Sequence, residues 1–116
     1  MLKQILEEFL LIDGVTIAAL VGSDGFVIEI TRQHCKSDIA AIGALCSRSM
    51  RAFELGGPSI HMGSPRQMVM EYQSGAIIII PVSPEEFLAI ITDTTVGLGH
   101  LTYTIERTSS RVAAVI

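Results

Sequence analysis

The stretch that decides the fold is GAIIIIPVSPEEFLAIITD, residues 75–93. Two apolar runs flank the turn residues Ser83-Pro84-Glu85, which predicts two strands joined by a short turn. Both runs are apolar at consecutive positions, and four isoleucines follow one another over residues 77–80. Because successive side chains of a strand point to opposite faces, such strands need cover on both sides of the sheet. The stretch therefore predicts helices on both faces.

A second strand pair is predicted nearer the N-terminus, over residues 15–21 and 26–30, around Gly22-Ser23-Asp24-Gly25. Two glycines three positions apart also raise the hypothesis of a phosphate-binding loop. Such a loop needs a lysine and a following helix, and a dinucleotide fingerprint needs a third glycine that opens a helix. Here a strand follows, and the lysine and the third glycine are absent. Asp24-Gly25 is therefore predicted to form the tight turn of a hairpin.

Three helices are predicted around the strands. The first has apolar residues at helical spacing over residues 2–12 and is closed by Asp13-Gly14. The middle helix covers residues 38–55, with Ser37 or Asp38 as its N-cap. Gly56-Gly57-Pro58 is predicted to end it, with glycine in the left-handed cap conformation. The third helix follows Thr94-Thr95, and its apolar positions are Leu98, Leu101, Ile105 and Val112.

Two further strand-like pieces, IHMG at residues 60–63 and RQMVMEY at residues 66–72, precede the deciding stretch. The predicted order is helix, two strands, helix, three strands, helix. Because short turns join the strands, the central five-stranded sheet is expected to be mainly antiparallel and the class to be α+β. With no repeat or linker, residues 1–116 are expected to form one domain.

The composition narrows the function classes. The chain has 116 residues, 49% of them hydrophobic, so it can build a core without disulfides or metals. A net charge of −4 leaves no excess of Lys and Arg to neutralise nucleic-acid phosphates. The N-terminal stretch carries Glu7 and Glu8 and no small-residue cleavage site, and no apolar run approaches the roughly 20 residues of a membrane span. The expectation is a soluble, cytoplasmic protein that neither binds nucleic acid nor inserts into membranes.

No catalytic, cofactor-binding or metal site is predicted. Adjacent residues of an extended chain point to opposite sides, so His34 is poorly placed to activate Cys35. His61 and His100 stand apart from other residues of ligand type. Together with Cys46, Cys35 is expected to be a free thiol in a reducing compartment.

A strip of small residues on the middle helix allows another backbone to approach closely. Its members are Ala40, Gly43, Ala44 and Ser47. Since a mid-helix glycine costs about 1 kcal/mol relative to alanine, the strip indicates a packing role. That role is either a helix–helix contact across a homodimer or tight packing within the monomer. The apolar residues opposite are predicted to pack on the sheet, and they are Ile39, Ile42, Leu45, Cys46, Met50 and Phe53.

Two other pairs of residues are predicted to contact partners. Met68 and Met70 alternate with polar and branched residues on the third strand, and methionine is common on adaptable interfaces. Methionine is equally common in cores, so the pattern alone leaves both places open, and the hypothesis adopted for Met68 and Met70 is the dimer interface. Arg48 and Arg51 extend the polar surface of the middle helix and are predicted to bind an acidic partner.

The whole pattern resembles the roadblock/dynein light chain (Roadblock/LC7) family. The likeness begins in ILEEFLLIDGVTIAALVGSDGFVIEI, residues 5–30, with an amphipathic helix, a GV step, an apolar strand, a DG turn and a second strand. It continues through the small-residue middle helix and the strand pair IIIIPV…FLAIITD to the last helix. The resemblance, to a bacterial or archaeal single-domain member of the MglB type, implies a roadblock fold, which is profilin- and longin-like.

The resemblance also implies a function. Members dimerise by pairing their middle helices, here residues 38–55, and their third strands, here residues 66–72. It implies a non-enzymatic platform that activates or scaffolds a small Ras-like GTPase. No arginine is identified as a finger, so activation is expected to position the GTPase's own groups. The alternative hypothesis is a small-molecule sensor or a minor thiol-dependent enzyme that uses Cys35 or Cys46.

Overall fold

The computed structural model describes residues 1–33, 38–93 and 97–116. The elements in chain order are α1 Leu2–Phe9, β1 Val15–Gly22, β2 Val27–Arg32, α2 Ile39–Gly56, β3 Met68–Tyr72, β4 Gly75–Pro81, β5 Glu86–Thr92 and α3 Leu98–Val115. The predicted order and the α+β class are confirmed. The predicted hairpin is formed by β1 and β2, which pair antiparallel around the turn.

The five strands form one antiparallel sheet in the order β2-β1-β5-β4-β3. β5 lies at its centre, with Leu20 of β1 opposite Leu88 and Ile78 of β4 opposite Ile90. Among the described strands, β2 pairs with β1 alone and β3 with β4 alone. β2 and β3 are therefore the two edges of the sheet.

The sheet separates two apolar cores. On one face, α1 and α3 cover a core that contains Leu6, Ile78 and Ile105. On the other face, Cys46 of α2 packs in a core with Ile79 of β4. Neighbouring isoleucines of β4 point into different cores, and the predicted helices on both faces are confirmed.

The two terminal helices were predicted with different accuracy. α3 begins at Leu98 and buries Leu101, Ile105 and Val112, as expected. α1 ends at Phe9, earlier than the apolar spacing predicts. The backbone N–H groups of the next three residues bond to carbonyl oxygens three residues back, at 3.1 Å each. This tighter bonding ends the α-helix, and Gly14 then turns the chain with a φ of 91°.

The start of α2 follows one of the two predicted caps. The Asp38 carboxylate accepts a hydrogen bond of 3.2 Å from the backbone N–H of Ala41. It thereby satisfies one of the free N–H groups of the first turn. The alternative cap, Ser37, lies outside the described residues.

The end of α2 corrects two predictions. Gly57 has a φ of −54°, so the predicted left-handed glycine cap is wrong. Proline has the φ that a first helical turn needs, and the chain continues into a 3-10 turn, Pro58–Ile60. The left-handed residue is His61, with a φ of 59°. Ile60 consequently ends this turn, residues 61–63 follow it outside any strand, and β3 begins only at Met68.

Candidate interaction site

The tip of the β1–β2 hairpin docks directly on α2. The Ser47 hydroxyl donates a hydrogen bond of 2.7 Å to the carbonyl oxygen of Ser23. Gly43 is buried, and a Cβ atom there would collide with the carbonyl oxygen of Gly25. Gly25 has a φ of 92°, which favours glycine. Two residues of the small-residue strip, Gly43 and Ser47, are thus explained within one chain. This contact supports the alternative of tight packing within the monomer for Gly43, and its place in a dimer interface stays a prediction.

An open groove of about 810 Å³ lies beside this contact, between the hairpin tip and the adjoining flank of α2. We call it the hairpin groove. Its lining includes Phe26, Val27, Ala40, Ala44, Arg48 and Arg51. The groove therefore gathers the two alanines of the predicted dimer interface and both arginines of the predicted partner site.

The arginines of the hairpin groove have no ion-pair partner in the part of the chain that the structure describes. Arg66 pairs with Glu106, and Arg111 pairs with Glu8 at 2.6 Å. No described residue forms an ion pair with Arg48 or Arg51. Both side chains are on the exposed surface of α2, three residues apart and so on neighbouring positions of one helix flank. They are available to acidic groups from outside the chain.

A second surface lies on the opposite flank of α2, beside the free edge of β3. Leu45 and Ser49 line a small cleft with the methionines of β3 and with Tyr72. Phe53 continues the same flank of α2, since positions four apart on a helix lie one above the other. We define the edge patch as Leu45, Phe53, Met68, Met70 and Tyr72. Four of the five are exposed, by 44%, 60%, 50% and 48% for Leu45, Phe53, Met70 and Tyr72.

The exposure of Leu45 and Phe53 corrects the prediction that both pack on the sheet. Cys46 and Met50 occupy the inward side of α2 and are buried. Leu45 is one residue from Cys46 and so is turned about 100° away from the sheet. Its neighbours across the flank belong to the exposed edge strand, which leaves the side chain half open.

The structure divides the predicted dimer interface between two flanks of α2. Ala40 and Ala44 line the hairpin groove, whereas Met68 and Met70 belong to the edge patch. Sequence reasoning missed Leu45, Phe53 and Tyr72 as surface residues. The sequence did contain one indication of an apolar surface on the middle helix. The apolar sector of that helix is wider than contact with one sheet requires.

The described thiol is poorly suited to chemistry. Burial raises the pKa of Cys46 to about 11, so its reactive thiolate is scarce near neutral pH. Cys35 and His34 lie outside the described residues. His61 and His100 are exposed. Across residues 1–33, 38–93 and 97–116, no three His, Cys, Asp or Glu side chains come together as a metal-ligand set.

A five-stranded antiparallel sheet between two helical layers is the architecture of a roadblock domain. The chain belongs to the Roadblock/LC7 family, whose domain model matches residues 1–92. An uncharacterized protein of Methanocaldococcus jannaschii is 28% identical over 115 residues, which cover 99% of each chain.

Solved structures support the same fold at lower identity. The structure of Myxococcus xanthus MglB superposes with a TM-score of 0.88 at 16% identity, covering 98% of this chain and 93% of that one. A structure described as MglB with tetrameric arrangement also has a TM-score of 0.88, at 17% identity, covering 97% and 85%. Within the described part of the chain, no helix has the length and apolar character needed to cross a membrane.

Proposed function

We propose that this chain is a cytoplasmic, non-enzymatic, single-domain module that forms a homodimer and regulates a small Ras-like GTPase. The observation that carries the proposal is the edge patch. β3 is an edge strand, so one row of its backbone N–H and C=O groups faces away from the sheet. Large apolar side chains are exposed on the same strand and on the adjoining flank of α2. Proteins protect such edges, and a second copy of the same strand satisfies backbone and side chains together.

The proposed dimer is symmetric. Two β3 strands pair antiparallel about a two-fold axis near Met70, which brings Met68 opposite Tyr72 of the second copy. The two α2 helices then lie side by side above the joined sheets, with Ser49 leaving room between them. The arrangement keeps Met68 and Met70 in the interface, as the sequence predicts, and leaves both hairpin grooves open. The tetrameric MglB structure supports oligomer formation in this fold.

The proposed partner is supported by family membership, by the likeness to MglB and by the exposed positive charges of Arg48 and Arg51. Neither arginine is proposed as a catalytic finger, because both lie on a helix flank. We expect the module to act by holding the GTPase's own catalytic groups in position. The GTPase therefore binds the nucleotide, and this chain binds none.

Two measurements test the proposal. Light scattering after size exclusion is expected to give twice the chain mass of 12.5 kDa. Each Ras-like GTPase encoded in the same genome is then purified with bound GTP, and its single-turnover hydrolysis is measured with and without this protein. One of them is expected to bind and to change its hydrolysis rate or its retention of nucleotide. A monomer that binds none of these GTPases and changes no rate would refute the proposal.

A further inference from the structure

The hairpin groove has the size of a binding site. Its volume of about 810 Å³ lies within the range of about 300–1,000 Å³ that is typical of ligand pockets. Ala40 and Ala44 create this space, because their short side chains do not fill the gap between α2 and the start of β2. The groove is open along its length, so it suits a chain segment better than an enclosed small molecule.

The inside of the groove is apolar. Val27 and Ile39 line it between the hairpin and α2, and both are partly buried against the core beneath. Phe26 stands on its rim with 76% of its surface exposed. An exposed aromatic side chain at the rim of an apolar groove is a typical anchor for a protein partner.

The charge of the rim is positive on a chain whose net charge is −4. Arg48 and Arg51 line the groove without an ion-pair partner among the described residues. The acidic lining residue is Asp24, whose Oδ1 accepts a hydrogen bond of 3.0 Å from the backbone N–H of Phe26. That bond commits one carboxylate oxygen to the turn. The rim therefore carries an excess of positive charge available to an acidic occupant.

The walls of the groove are held in place before anything binds. The Ser47–Ser23 hydrogen bond and the close approach of Gly43 to Gly25 fasten the hairpin tip to α2. A groove with fixed walls spares the ordering cost that a mobile loop would add to binding. The contact that removes Gly43 from the surface is thus the same contact that shapes the groove.

We propose that the hairpin groove docks an acidic amphipathic segment of a protein partner. Its large apolar side chains enter between Phe26 and Ala44, and its carboxylates pair with Arg48 and Arg51. Planar guanidinium groups bind carboxylates through two parallel hydrogen bonds, which fixes the register of such a segment. The inference rests on the proposed role as a platform for a partner, and it specifies the chemistry that the partner presents. Because the groove lies on the flank opposite the edge patch, a dimer offers two grooves.

The probe is a synthetic helical peptide of about 14 residues, long enough to form a helix on binding, with leucine on one face and glutamate on the other. A matched peptide carries lysine in place of glutamate. Binding to the 116-residue chain is followed by fluorescence anisotropy and by amide chemical shifts. We expect the glutamate peptide to bind at least tenfold tighter than the lysine peptide, and its shifts to centre on Phe26, Ala40 and Ala44. Its affinity should fall when salt is raised from about 50 mM to about 500 mM.

Charge reversal provides the decisive comparison. In the double variant Arg48→Glu, Arg51→Glu, the preference should invert, so that the lysine peptide binds more tightly. The milder variant Arg48→Gln, Arg51→Gln serves if the first one fails to fold, and it should lose the preference. Equal binding of both peptides to the native protein, an unchanged preference in the variants, or shifts centred on the edge patch would overturn the proposal.

The same variants separate this inference from the proposed function. A GTPase that is regulated equally well by the native protein and by the double variant refutes the groove as the docking site and leaves GTPase regulation standing. Peptide binding that inverts as expected, with no response from any Ras-like GTPase, supports the groove and refutes the GTPase as its user.

Discussion

The hairpin flank and the edge flank of α2 differ in what their side chains contact. On the hairpin flank, Gly43 and Ser47 contact the turn of the same chain, and the remaining space is a groove with Arg48 and Arg51 on its rim. On the edge flank, Leu45 and Phe53 expose apolar surface beside an edge strand. Gly43 and Ser47 therefore mark an internal contact, whereas Leu45 and Phe53 mark apolar surface that no other part of the described chain covers. The difference is the basis for proposing a second copy of the chain at the edge flank and an acidic partner at the hairpin flank.

The largest expected effect separates the two flanks by one charge on each. Met70→Glu places a carboxylate at the centre of the proposed seam, where burial of an unpaired charge is strongly unfavourable. We expect the dimer dissociation constant to rise by at least about 100-fold, which corresponds to about 2.7 kcal/mol. Ala44→Glu is the matched control, since the same charge enters the hairpin groove near Arg48 and should leave the dimer intact. Sedimentation or light scattering over a dilution series measures both.

The opposite result would contradict the proposed position of the dimer interface. A monomeric Ala44→Glu protein beside a dimeric Met70→Glu protein would place subunit pairing on the hairpin flank, where the small-residue strip alone had suggested it. Circular dichroism of both variants at the same concentration shows whether either has lost its fold.

A smaller effect is expected from Gly43→Ala. In an ordinary helix this change is favourable by up to about 1 kcal/mol. Here the new methyl group meets the Gly25 carbonyl oxygen, so we expect a loss of about 1–3 kcal/mol in the free energy of unfolding. Gly56→Ala is the control on the same helix, because the space around Gly56 is open, and it should be neutral or stabilising. Urea unfolding at one fixed protein concentration compares them. Equal effects of the two changes would mean that the hairpin tip is not clamped on α2.

The contrast between the flanks also shows where sequence reasoning ends. Residues 77–80 predicted a sheet that is covered on both faces, because their consecutive apolar side chains give the strand no polar face. No comparable pattern in the sequence predicts which side of α2 faces the hairpin and which side faces β3. Ala44 and Leu45 are adjacent, yet they face different flanks, since each residue turns a helix by about 100°. Two features that are distant in sequence decide which residues of α2 face the hairpin and which face β3. One is the contact between Ser23 and Ser47, which are 24 residues apart. The other is the strand order, which puts β2 and β3 at opposite edges of the sheet.

The end of α2 shows the same limit in a local motif. Gly56-Gly57-Pro58 correctly marks the end of the helix. Pro58 favours one more helical turn, so the left-handed conformation occurs at His61 and not at the predicted glycine. These three residues predict that the helix ends here. Whether a glycine cap or a proline-initiated turn follows is decided by the packing of the next loop. A Cβ atom on Gly57, for example, would collide with the Gly63 carbonyl oxygen.

The smallest expected effect concerns the layer beneath the edge flank, where Cys46 is buried between α2 and the sheet. Burial raises the thiol pKa from 9.0 to about 11 in the folded chain. Between these values the unfolded chain loses its proton first, so the thiol favours unfolding increasingly as the pH rises. Its full contribution to stability is present below about pH 9 and is lost towards pH 11. We expect the native protein to lose roughly 1–2 kcal/mol more than Cys46→Val between about pH 8.5 and about pH 10.5. Urea unfolding at several pH values measures this difference in slope, in which every contribution common to both proteins cancels. Parallel slopes would show that water reaches the thiol under the edge flank, and that this side of α2 is looser than the clamped hairpin side.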